Sequence, residues 1–279
     1  MNRTLLSFTL CLTAIGCGAQ DDYADRMATE HRNDAPVANP MSQAAPAAQV
    51  TEGDVVYATV DGQPVTGFLA WPSEGRKGPG LIVIHEWWGL NDNIRAMARR
   101  LAGEGYTALA VDLYGGQVAG DRDTAYALMK TTNGAPAEAE NNLRQAFDYL
   151  NAELEVPSVG SVGWCFGGAW SLNTALLLPD SLDAAVIYYG HLDNDPKRLA
   201  TLEMPILGLF GAEDEGIPLE SVEAFSTTLE TLGKDATIVV YPGADHAFAN
   251  PSGKNYQPEA AQQAWDLTLE FLADNLSEE

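Results

Sequence analysis

The chain has 279 residues, an ordinary apolar fraction of 46%, and 39 acidic against 15 basic residues, for a formal net charge of −24. The length suits one large α/β domain or two small ones, and the apolar content excludes a fibrous or globally disordered chain. The charge repels nucleic acid and anionic surfaces, so no nucleic-acid partner is expected.

Asn2 and Arg3 precede an apolar run over residues 4–16. That run is shorter than the roughly 20 apolar residues a membrane span needs, and it has the size of a secretory signal. It ends in Ala14-Ile15-Gly16-Cys17, which resembles the bacterial lipobox. The expectation is loss of residues 1–16, a lipid on Cys17, and export to the periplasmic face of a bacterial membrane, touched only through that anchor, with plain secretion as the alternative. Cys11 would leave with the signal, so Cys165 would be the one free thiol of the mature chain, with no disulfide framework. Residues 17–52 are rich in Ala, Pro, Gln, Asn and Asp. That composition predicts a disordered tether in which His31 and Arg32 need no function.

A folded domain is expected over residues 53–279. Residues 55–60 and 65–71 read as a hairpin joined through Asp61-Gly62. Apolar runs then alternate with helical patterns. Strands are predicted over 81–85, 107–112, 159–164, 184–189, 206–210 and 237–241. Helices are predicted over 91–105, 136–154, 166–178, 218–232 and 258–275. This alternation predicts a single-domain α/β fold, a mostly parallel central sheet with helices on both faces. Ligands then bind at the carboxyl ends of the strands. No phosphate loop is present and no His/Cys/Asp/Glu spacing suggests a metal site, so neither a cofactor nor a metal is expected. A monomer is the working expectation.

Gly163-Trp164-Cys165-Phe166-Gly167-Gly168 follows a predicted strand and opens a predicted helix. That context defines a nucleophile elbow, in which a sharp turn exposes the reactive side chain at the sheet's edge. The helix behind Cys165 aims its positive end at the thiol and favours thiolate. The amide of Phe166 would face a developing oxyanion. A cysteine nucleophile needs a base, and the base a carboxylate to orient it. Downstream, Glu213, Asp214 and Glu215 follow one strand and His246 follows the next. Asp245 adjoins His246 and should project away from its ring, which leaves Glu213, Asp214 and Glu215 competing for the orienting role. His85 ends a strand and reads as a hydrogen-bonding residue. His191 follows the strand ending near Tyr189 and would line the rim of the site.

With Ile84-His85-Glu86-Trp87-Trp88-Gly89, Asp112-Leu113-Tyr114, Asp214 and His246-Ala247-Phe248 added to the elbow, residues 53–275 resemble the dienelactone hydrolase (carboxymethylenebutenolidase) family of α/β-hydrolases. The resemblance implies a triad of Cys165, Asp214 and His246. It implies that Glu86 interacts with the resting thiol and that the Trp87 amide is the second oxyanion donor. Two departures concern the substrate. The arginines that hold the substrate carboxylate in the namesake enzymes correspond to Gly116 and Asn250 here. Trp88, Tyr114 and Phe248, with Asn250 and His191 at the rim, would instead line a pocket for a neutral ester, lactone or thioester rather than the anionic dienelactone. The alternative is a membrane-tethered binding module that keeps the fold without turnover.

Overall fold

The computed structural model describes residues 18–32, 34, 45–76 and 78–276. The chain runs as helix α1 (Gly18–Glu30), β1 (Val50–Val60), β2 (Gln63–Pro72), β3 (Gly80–Ile84), α2 (Asp92–Gly103), β4 (Thr107–Val111), α3 (Arg122–Gly134) and α4 (Pro136–Asp148). It continues as β5 (Val159–Trp164), α5 (Phe166–Leu177), β6 (Ala184–Tyr188), the short α6 (Pro196–Leu199), β7 (Ile206–Gly211), α7 (Leu219–Thr231), β8 (Ala236–Tyr241) and α8 (Pro258–Leu276). The eight strands form one sheet in the order β1-β2-β4-β3-β5-β6-β7-β8. The pairs β1–β2 and β2–β4 are antiparallel and every later pair is parallel.

The apolar runs explain the layout. Every residue of β3, β4, β5, β6 and β7 is buried, as a parallel strand covered on both faces must be. The hairpin lies at the edge: β1 buries only Tyr57 and Ala58, while β2, covered by β1 and β4 on its two sides, buries Val65 and residues 67–70. Asp61 and Gly62 turn it, both with positive φ, as the sequence predicted.

Three differences from the sequence expectations have physical causes. Helix α3 was not expected, because it buries only Ala125 and Met129 and so carries almost no apolar stripe. Its start is nevertheless marked by Asp121, whose side chain accepts from the Thr124 amide. The predicted helix over 136–154 ends at Asp148 and widens into a π-type turn over Tyr149–Glu153.

The third difference falls within the expected tether over residues 17–52, of which residues 17, 33 and 35–44 lie outside the described residues. Residues 18–30 form α1, which packs against α3 and lies over the carboxyl ends of the parallel strands. Its few apolar residues are spaced to act together: Tyr23 and Met27 stand four apart and both are buried, and His31 extends the row by another four. Polar contacts pin the segment. The Arg26 guanidinium donates to the Gly216 carbonyl at 3.2 Å, Tyr126 Oη donates to Asp25 at 2.8 Å, and Lys254 Nζ donates to the Glu30 carbonyl at 2.8 Å. Cys17 and the expected signal lie outside the described residues. No helix among the described residues is long and apolar enough to cross a membrane.

Candidate active site

The site begins with an absence of side chains. A Cβ on Gly163 would fall 2.0 Å from the carbonyl oxygen of Gly167, and one on Gly167 would fall 2.3 Å from that of Ile84. No atom fits there, so glycine at both positions lets α5 rise directly off the end of β5 beside β3. Between them Cys165 takes φ 55° and ψ −116°, a region that side chains rarely adopt and that costs about 1–3 kcal/mol. Tyr189 (φ 36°) after β6 and Ala247 (φ 60°) beside His246 share this strain. All three cluster at the carboxyl edge of the sheet.

The expected partners meet there. His246 Nδ1 and Asp214 Oδ2 are 2.8 Å apart, both buried. The other oxygen of Asp214 accepts from the Ile217 amide at 2.8 Å, which fixes the carboxylate. Glu213 and Glu215 are exposed, and Asp245 accepts from the His246 amide, so neither the flanking acids nor the adjacent one orients the ring. His246 Nε2 is buried and has no hydrogen-bond partner among the described residues. It is the nitrogen left to face Cys165.

Burial would push the Cys165 thiol up, but the adjacent charge of His246, then the hydrogen bond and charge of His31, outweigh it and bring the thiol from 9.0 down to about 6. Burial works against a charged His246 too, yet Asp214 and Cys165 hold its pKa well above the ordinary value. The two shifts describe one thiolate–imidazolium pair in a dry site.

Glu86 is buried on the turn after β3. Burial and the neighbouring thiolate raise its pKa to about 7. One of its oxygens accepts from Asn250 Nδ2 at 2.7 Å, and the other has no partner among the described residues. Asn250 therefore occupies itself with Glu86, while Gly116 donates its backbone amide to Asp112. Neither presents a cation. His85 uses both ring nitrogens, Nδ1 toward the Glu86 carbonyl at 2.6 Å and Nε2 accepting from the Leu113 amide at 3.2 Å, so it is a neutral structural residue. Tyr114 packs on His85 and on Phe166, and Phe248 packs on Tyr189 and Tyr241. Trp87 and Trp88 are buried against each other. Phe166 opens α5 and Trp87 follows Glu86, the two positions from which backbone amides would meet an oxyanion.

His31 is the residue that sequence reasoning missed. It was assigned no function, yet it is buried with Nε2 3.7 Å from Cys165 Sγ. Its ring stacks on Trp87 with centroids 4.6 Å apart, and its Nδ1 lies 2.8 Å from Asp34. Met27 Sδ is 3.9 Å from the same sulfur. Tyr23 stacks on His191 at 4.6 Å, so His191 meets the cover rather than an open rim. The four-residue spacing of Tyr23, Met27 and His31 was the available signal, and the polar composition around it hid it. With this segment in place Cys165 is fully buried. The cavity beside Glu86, Trp164, Tyr189 and Asn250 holds about 20 Å³, room for one water.

The dienelactone hydrolase family model matches residues 65–276. Protein usf of Aquifex pyrophilus is 34% identical over 233 residues, covering 81% of this chain and all of that protein. An Escherichia coli protein named as a candidate carboxymethylenebutenolidase is 32% identical over 257 residues, covering 82% of this chain and 93% of its own length. Among solved structures, a dienelactone hydrolase-like promiscuous phosphotriesterase from metagenomic libraries superposes with a TM-score of 0.74 at 26% identity, over 82% of this chain and 99% of that one. A family match that runs from β2 to the last turn of α8 assigns the chain: it belongs to the dienelactone hydrolase family, and it is a hydrolase.

Proposed function

We propose that this hydrolase cleaves a neutral ester, lactone or thioester through a Cys165–His246–Asp214 triad. The observation that carries the reading is the buried His246–Asp214 pair beside a thiol held at about 6 on a strained elbow. The Cys165 thiolate attacks the carbonyl carbon and forms a C–S bond. The carbonyl electron pair moves to oxygen, which the Phe166 and Trp87 amides receive. The oxyanion collapses, the bond to the leaving oxygen or sulfur breaks, and the leaving group takes the proton from His246. Water then gives a proton to His246 and attacks the thioester. The C–S bond breaks, the acid departs and the thiolate returns. Asp214 holds the ring and stabilises its charged form throughout. Glu86, with its raised pKa next to the sulfur, tunes the resting charge of the pair.

The substrate preference rests on what the site omits. Each charge-assisted hydrogen bond to a substrate carboxylate contributes roughly 1.5–3 kcal/mol, and positions 116 and 250 supply none. A net charge of −24 opposes anions further. Turnover also requires α1 to undock, because His31 and Met27 fill the space above Cys165 that a carbonyl must enter.

Hydrolysis of p-nitrophenyl acetate tests the triad. Loss of about 10³-fold or more in kcat is expected for Cys165→Ala and for His246→Ala, and full activity in both variants would end the reading. A panel pairing neutral with anionic lactones tests the preference. We further propose the lipid on Cys17. With α1 docked, that anchor brings the covered site toward the bilayer instead of holding the domain away. Mass spectrometry of the membrane fraction should find a diacylglyceryl group on Cys17, and an unmodified terminus downstream of it would refute acylation.

A further inference from the structure

The ligand atoms of His31, Cys165 and His246 lie within 4.8 Å of one another, all on buried residues. Hydrolysis by Cys165 and His246 gives His31 nothing to do. Its placement is nonetheless well determined. Each histidine has Nδ1 held 2.8 Å from a carboxylate, Asp34 for His31 and Asp214 for His246. That leaves Nε2 of each for the sulfur side. A carboxylate behind each ring is the arrangement that orients imidazoles as metal ligands and raises their basicity. The approach of His31 to the sulfur is also close to that of two ligands on one ion. Metal–sulfur and metal–nitrogen bonds of about 2.3 and 2.0 Å at a tetrahedral angle separate S from N by about 3.5 Å, against 3.7 Å for Cys165 Sγ and His31 Nε2. The fourth side holds the Met27 thioether, 3.9 Å from Cys165 Sγ.

We propose that the docked N-terminal segment completes a copper site, with Cys165, His31 and His246 as principal ligands and Met27 as a weaker fourth. A thiolate and a thioether together select a soft ion, Cu(I) before zinc, and two imidazoles with one thiolate and a distant methionine is a copper ligand set. The charge that repels anionic substrates draws cations to the same edge of the sheet. The site and the triad exclude each other, since sulfur and His246 cannot serve as metal ligands and as nucleophile and base together. A copper-loaded chain is therefore a closed hydrolase.

The test is titration of the full chain, under anaerobic reducing conditions, with Cu(I) buffered by bicinchoninate. One equivalent should bind, with a near-ultraviolet thiolate-to-copper band. His31→Ala should weaken binding at least about tenfold, and Asp34→Asn about 10- to 100-fold through the orientation of His31. Met27→Leu, which keeps the packing volume, should weaken it a few-fold, and circular dichroism should show all three variants folded. Absence of stoichiometric binding, or equal affinity in wild type and His31→Ala, would overturn the proposal. Displacement by Zn(II) at equal free concentration would overturn the choice of copper. Ester hydrolysis of the metal-free chain is measured separately, so failure of the copper site and failure of the triad give different results.

Discussion

The floor and the cover of the active site are built in opposite ways. The floor, where β3, β5 and β7 end, is held by backbone: Gly163, Gly167 and the carbonyls of Ile84 and Gly167 leave no space for an added atom. The cover, residues 18–32 with Asp34, is held by one row of side chains and a few polar contacts at a surface. The floor should therefore move only when the domain unfolds, whereas the cover is built so that undocking would leave the domain intact. A site made this way separates precision from access.

The largest expected effect breaks the floor. Gly163→Ala places a Cβ 2.0 Å from the Gly167 carbonyl, so it should lose about 3 kcal/mol or more of global stability. Denaturant unfolding reads this, and a near-wild-type midpoint would contradict the close approach. The next effect is electrostatic. The Cys165 thiolate should be present above about pH 6 and lost below it, so the rate of iodoacetamide inactivation should rise through that pH. In His246→Ala burial is left with its main opponent removed, and the midpoint should climb by about 2 units or more. An unmoved midpoint would assign the low value to His31 instead.

Met27→Ala tests the cover. Removing a buried methionine side chain costs about 2–5 kcal/mol, but here the loss should appear as local undocking. Amide exchange should speed up across 18–30 while the unfolding midpoint of the sheet stays put. A matching fall in global stability would mean that cover and floor unfold as one. The smallest effect is at the edge of the site. Asn250→Ala removes a hydrogen bond to the ionised form of Glu86, so its pKa should move up from about 7 by roughly one unit; carboxylate NMR of the labelled protein reads the titration, and an unmoved midpoint would contradict the contact.

The floor was legible in the sequence because it obeys local rules. Glycines flank Cys165, an acid and a histidine follow successive strands, and apolar runs mark each buried strand. Direction argues against Asp245, whereas Asp214 rests on the family resemblance; His246 Nδ1 lies 2.8 Å from Asp214. The cover was not legible by composition, because alanines, prolines and acids outnumber the residues that dock it. Tyr23, Met27 and His31 act through a spacing of four, which averages over a window conceal. The metal-like cluster was hidden for another reason: its members join only through the tertiary fold, 134 residues apart between His31 and Cys165. The role of Asn250 was equally out of reach, since nothing local ties it to Glu86, 164 positions earlier.

The left-handed backbone at Cys165 carries a meaning for how this chain can change over generations. Selection for folding alone would replace the residue with glycine, which relaxes at φ 55°. Keeping a side chain there opposes that drift at every replication. The elbow thus holds a side chain against its own backbone preference, at a cost that the fold alone gives no reason to bear.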